Sequence, residues 1–204
     1  MLTDANTPDG QVAAQLLADE PDPVEALADT AYGGGQTRAD LIAAGHTPVI
    51  KPLPLRPATP GGLNRDDFRI DYEAGTVTCP AQRTVTISPK GNASFGRRCN
   101  TCPLRDKCTA SKSGRSLHVG EHDELLAAAR AQAKTPEFAA AYPRRSLVEP
   151  SIAWVVKDGH RRCRYRGVKR NQLWLSLRVA AVNLTTLLGL GLSYDGGWRV
   201  PATT

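Results

Sequence analysis

A chain of 204 residues with 41% hydrophobic and 23% charged content has enough apolar material for one globular domain, or for a domain with an insert. No charge-free apolar run reaches the roughly 18 residues of a membrane span, and the acidic, polar start argues against a secretory signal and for a cytoplasmic protein. The net charge of +6 hides an asymmetry, because residues 1–50 carry eight acids and one arginine whereas residues 142–170 carry nine Lys or Arg and two acids.

In chain order, the spacing of Val12, Leu16 and Leu17 predicts one helix over residues 10–19, with Asp9 as its candidate N-cap. Residues 24–29 read as a short apolar strand ending in Asp29. A glycine turn at 33–35 leads to a helix over 37–45 closed by Gly45, and 46–51 reads as the following strand. An acid at the carboxyl edge of such a sheet stands where the ligand sites of open α/β sheets lie.

Residues 51–65 hold four prolines and two glycines and read as a linker. Beyond it, residues 68–72, 76–78 and 84–87 alternate or are β-branched, which predicts a small antiparallel sheet with its first turn at 73–75. The same region carries Cys79, Cys99, Cys102 and Cys108. A Cys-x2-Cys pair with two further cysteines in a cytoplasmic chain points to thiolate ligands of a structural Zn²⁺ rather than to disulfides. His118 and His122 are candidate substitutes for one ligand, and unligated core cysteines or an iron–sulfur cluster are the other readings of these residues. Cys163, isolated among arginines, reads as a free thiol.

Leu125, Leu126 and Ala129 predict a polar-faced helix between 121 and 134. Thr135 and Pro136 then look like the N-cap and first residue of a second helix that runs through Tyr142 toward Val156. If that helix is unbroken, Tyr142, Arg145 and Glu149 fall within roughly 60° of arc. Arg145 would then orient the carboxylate or bind a phosphate beside it, unless the two are simply a surface pair. Pro143 and Pro150 each remove a helix hydrogen bond, so the helix should either bend at Glu149 or begin near Pro143 and break near Pro150. Lys157, Arg161, Arg162, Arg164, Arg166 and Lys169 follow, a concentration of base suited to a phosphate backbone, with a solvated basic face as the plain alternative. Over residues 171–188, Leu173, Leu177, Ala180, Leu184 and Leu187 form one stripe, which predicts a long core-packing helix in which Arg178 and Asn183 argue against a membrane. Residues 189–204 read as a frayed, glycine-rich tail.

The stretches around Asp29 and Glu149 together resemble the DDE transposases of bacterial insertion sequences. In that family the second acid follows a strand in a context like residues 28–33. The third lies in a helix with the pattern Tyr, two residues, Arg, three residues, Glu, six residues, Lys. Tyr142, Arg145 and Glu149 match in type and spacing, whereas Val156 takes the place of the Lys and Lys157 comes one residue late. The resemblance extends to the cysteine segment and to residues 162–167.

The resemblance implies an α/β fold with an incomplete ribonuclease H-like core, lacking the first three strands and the first catalytic Asp, and a small antiparallel β insert carrying the cysteines. Asp4 and Asp9 do not fill the gap, since their stretch is too polar for a buried central strand. The organisation expected is a partial core with the second acid at 1–50, a linker at 51–65, the insert at 66–120, a helical C-terminal part of the core with the third acid at 121–192, and a flexible tail at 193–204.

For function the resemblance implies DNA transposition by metal-dependent phosphoryl transfer, with strand cleavage and strand transfer at a site where three carboxylates hold two Mg²⁺ ions. Asp29 and Glu149 would be two of those ligands, Arg145 the partner of Glu149, and Tyr142 a packing residue at the site or against DNA. The expected partners are the transposon ends and target DNA, with a homo-oligomer or a complementing N-terminal transposase chain besides. Lacking the first Asp, this chain alone is expected not to cleave DNA. The alternative function is a non-catalytic, zinc-stabilised DNA-binding remnant.

Overall fold

The computed structural model describes residues 2–4, 6–157 and 159–200, which fall into two compact units. One unit runs from Asp9 to Pro143, and the other joins the first eight residues to the chain from Arg144 onward.

In the Asp9–Pro143 unit, a 3-10 turn at Asp9–Val12 runs into the short helix α1, Ala13–Leu16. The single helix expected over 10–19 is thus divided, and Asp9 opens the 3-10 turn instead of capping an α-helix. Strand β1, Glu25–Ala28, is followed by helix α2, Gly35–Ala43, and strand β2, Thr47–Ile50. β1 and β2 pair in parallel, with Leu27 opposite Val49, and Gly45 ends the helix region at φ +87°, as its sequence position predicts. Ala13, Leu41 and Ile50 form the small core beneath them.

Residues 51–65 are bound to the cysteine segment at several points. Leu63 N–H and the Thr59 hydroxyl both donate to the Lys107 carbonyl, at 2.7 and 2.9 Å. Strands β3 (Arg69–Asp71), β4 (Thr76–Thr78) and β5 (Thr84–Thr86) form the expected antiparallel sheet, with Val77 opposite both Ile70 and Val85. Strand β6, Asn92–Ser94, pairs across the short helix α3, Arg105–Cys108, with strand β7, Ser116–His118. Sequence patterning did not reveal this second pairing, because each strand has three residues and a single buried side chain, Ala93 or Leu117. Phe68, Val77, Val85, Ala93, Phe95 and Leu117 make the main core, and Cys99 and Cys108 belong to it.

Helix α4, Asp123–Gln132, buries Ala129, and helix α5, Pro136–Ala141, begins as expected, with the Thr135 hydroxyl accepting the Phe138 N–H at 3.2 Å. The continuous helix expected from there to Val156 is absent. A 3-10 turn at Tyr142–Leu147 intervenes, and helix α6 occupies Val148–Val156. Pro150 is third in α6, where backbone N–H groups have no intrahelical acceptor, so its missing donor costs nothing. The interruption therefore falls at Pro143 and its neighbours, not at Glu149.

In the other unit, α6 packs with helix α7, Val168–Gly189. Arg178 of α7 donates to the Val155 and Trp154 carbonyls at 3.3 and 3.2 Å, which places a cation on the last turn of α6. The stripe expected to pack into a core is instead exposed, with Leu173 at 64% and Leu177 at 65%. A stripe identifies an apolar face without naming its neighbour, and the 9-residue α6 covers only part of the 22-residue α7. Part of the predicted tail is ordered as well. Strands β8 (Ser193–Tyr194) and β9 (Trp198–Arg199) form a hairpin around Gly196, at φ +61°.

Candidate functional site

Asp29 directly follows β1 and caps the 3-10 turn Thr30–Tyr32, its Oδ1 accepting the Ala31 N–H at 2.9 Å. The carboxylate is exposed at the carboxyl end of the parallel pair, the edge the sequence had indicated. Two features hold that edge in place. A Cβ at Gly33 would lie 2.9 Å from the Lys51 carbonyl, so only glycine allows the loop to approach β2 this closely. Arg38, 1% exposed, donates to the carbonyls of Ile50 at 2.5 Å and Gly33 at 3.4 Å. Burial pushes its guanidinium pKa down, yet those two bonds tie helix, strand end and loop together. Arg38 was missed in the sequence, although it is the one arginine among the first 50 residues.

Glu149 lies in the first turn of α6, a position favourable to an acid. Arg145 Nη1 meets its Oε1 at 3.1 Å, and the Glu149 side chain is 61% exposed. As a stability element this pair contributes only about 0.3–0.5 kcal/mol. It biases the carboxylate toward Arg145. Tyr142 stacks on Phe138, ring centroids 5.0 Å apart and planes at 14°, within the unit that also holds Asp29. Arg145 and Glu149 belong to the other unit.

The basic stretch runs from the end of α6 through a loop into the first turn of α7. Arg161, Arg162, Arg164 and Arg166 of the loop and Lys169 of α7 are all exposed, as is Lys157, whose Nζ lies over the Trp154 ring at 5.0 Å. The loop's anchor is Asn171, 5% exposed. Its Oδ1 accepts the Tyr165 N–H at 2.9 Å, and its Nδ2 donates to the carbonyls of Tyr165 at 2.6 Å and Gly167 at 2.9 Å. Gly167 takes φ +89° at the turn into α7. No local pattern singled out Asn171, because a buried amide and a surface amide look alike in sequence.

Cys79, Cys99, Cys102 and Cys108 line one cavity of about 20 Å³. The histidines are engaged elsewhere, His118 with Asn92 at 3.2 Å and His122 with Gln36 at 3.0 Å. Cys163 is exposed. Among the described residues, no group of three or more His, Cys, Asp or Glu is already arranged to hold a metal ion. Nor is any helix among them long and apolar enough to cross a membrane.

A family model described as a transposase DDE domain matches residues 78–188, more than half of the chain. The matched segment includes the four cysteines of the cavity, Tyr142, Arg145, Glu149 and the basic loop, and leaves Asp29 outside. No curated protein and no solved structure matches the chain.

Proposed function

The chain belongs to the transposase DDE domain family, and from that premise we propose that Asp29 and Glu149 are two carboxylates of a phosphoryl-transfer site acting on DNA. Members of this family act in DNA transposition, with DNA as substrate and divalent metal ions as cofactors. The observation that carries the reading is the Arg145–Glu149 pair at 3.1 Å within the matched segment.

Both acids suit Mg²⁺. They offer hard oxygen donors on exposed carboxylates, and this ion binds through one or two such groups while keeping several waters. Asp29 uses Oδ1 as a cap and keeps Oδ2 for a cation. Bound there, the ions would supply Lewis-acid activation of an attacking hydroxyl and stabilisation of the leaving oxygen. The protein's own part is positioning. Arg145 biases the orientation of Glu149, Arg38 and Gly33 hold the loop that follows Asp29, and Tyr142 anchors its turn by stacking on Phe138. Arg161, Arg162, Arg164, Arg166, Lys157 and Lys169 track the DNA backbone, releasing counterions as they neutralise phosphates. The third carboxylate of the family's reaction is not assigned to a described residue.

The test is to replace Mg²⁺ by Fe²⁺ and generate hydroxyl radicals with ascorbate and peroxide. Backbone cuts are expected near both residue 29 and residue 149, suppressed by excess Mg²⁺ and lost at both places in Asp29→Asn or Glu149→Gln. Cuts at one place that ignore the other acid would show that the two do not share metal. Duplex binding with no cutting at either place would identify a DNA-binding module without the chemistry.

A further inference from the structure

The cysteine cavity has a charge pattern of its own, independent of the transposition reading. Four arginines line it beside the four thiols, namely Arg83, Arg98, Arg105 and Arg115, and no carboxylate does. Arg115 stands out among them. Its Nε is buried with no hydrogen-bond partner, while its backbone N–H donates to Cys99 Sγ at 3.4 Å. The preceding residue, Gly114, takes φ +87°, and a Cβ there would lie 3.2 Å from the same sulfur and run into the Gly96 carbonyl. The backbone thus closes on Cys99 at a position that only glycine can fill. A buried donor without an acceptor beside four sulfurs is an unbalanced arrangement, and anionic sulfur would balance it.

Local geometry supplies four ligands from turns and element ends. Cys79 follows β4 in a tight turn, its N–H donating to the Arg83 carbonyl at 2.9 Å and its carbonyl accepting the Gln82 N–H at 2.8 Å. Cys99 closes the 3-10 turn Gly96–Cys99, Cys102 donates its N–H to the Cys99 carbonyl at 3.2 Å, and Cys108 ends α3. We propose that Cys79, Cys99, Cys102 and Cys108 bind one Zn²⁺ as a structural, four-thiolate site that joins the end of β4, the segment between β6 and α3, and the end of α3.

Four thiolates with no other donor are the ligand set of a closed, tetrahedral Zn²⁺ site. Each thiol loses its proton to solvent as it binds, so the completed site carries a charge of −2 among lining residues that include arginines and no carboxylate. Because the sulfurs are not yet gathered around a common point, the ion draws them to the Zn–S distance of about 2.3 Å.

The experiment measures metal content by mass spectrometry on the full 204-residue protein, purified without added metal and again after removal and return of Zn²⁺. One zinc per chain is expected in the parent and in Cys163→Ser, and a loss of bound zinc in Cys79→Ser and Cys108→Ser. Co²⁺ in its place should give the intense visible bands and thiolate charge-transfer absorption of a tetrahedral sulfur site. Arg115→Met should weaken zinc binding about 10–100-fold in competition with a chelator. Protein that binds no zinc and keeps its thiols reactive would overturn the proposal. So would bound iron with sulfide, disulfides among the four, or zinc that depends on Cys163. Should the serine variants fail to fold, the zinc count and cobalt spectrum of the parent chain decide alone.

Discussion

Tyr72 donates a hydrogen bond to Asp123 Oδ2 at 2.8 Å, and the same carboxylate pairs with Arg65. Burial first, then this bond and the Asp123 charge, push the Tyr72 hydroxyl up from 10.0 to about 12, against smaller opposing effects of Arg65 and Arg130. Between those values the folded state keeps a proton that the unfolded chain has released, so stability is full below pH 10 and falls as pH rises toward 12. Tyr72→Phe should therefore flatten the loss of stability over that range, measured by urea unfolding at several pH values. An unchanged slope would place the alkaline sensitivity elsewhere. At this scale the sequence was legible where chemistry is rare and opaque where geometry decides. The pairing of Arg145 with Glu149 was readable, but the burial of Arg38 and Asn171 was not, since a polar side chain carries no local mark of what will cover it.

Elements with strong end signals matched their expected positions. Thr135 and Pro136 start α5, Gly45 ends the α2 region, and β3 and β4 pair around Gly75, at φ +62°. The long helix from α5 to Val156 failed because Pro143 and Pro150 act through position: Pro150 is harmless in the first turn of α6, and the 3-10 turn at Tyr142–Leu147 takes up the break. The α7 stripe failed for a different reason, namely that periodicity predicts a face and not its partner. The exposure of Leu177 makes the difference measurable. Leu177→Ala should cost under about 0.5 kcal/mol, as surface changes do, whereas Leu41→Ala, at a site 2% exposed, should cost about 2–5 kcal/mol. Chemical denaturation compares the two, and a large loss at Leu177 would show that the stripe is covered in solution.

Across the whole molecule, acid is concentrated in the first 50 residues and base after Glu149. The basic part is an exposed loop held by Asn171, so its charges are free to meet a polyanion. Duplex binding followed by fluorescence anisotropy should show log affinity falling linearly with log salt. Replacing Arg162 and Arg164 by alanine should reduce that slope by about 0.9 for each arginine lost. A slope that does not change would remove the loop from the DNA contact.

Composition, charge order and the spacing of a few residues were enough to determine the mixed α/β class, the family, and the segments that hold acid, base and cysteine, because those properties are carried by residue type along the chain. What required the tertiary structure was which groups meet. The strands β6 and β7, Arg115 against Cys99, and Asn171 under the basic loop are joined by hydrogen bonds and burial between positions that share no periodic signal. Pairings of that kind are set by packing and by the need to satisfy buried polar groups, and both come into being only as the chain closes on itself.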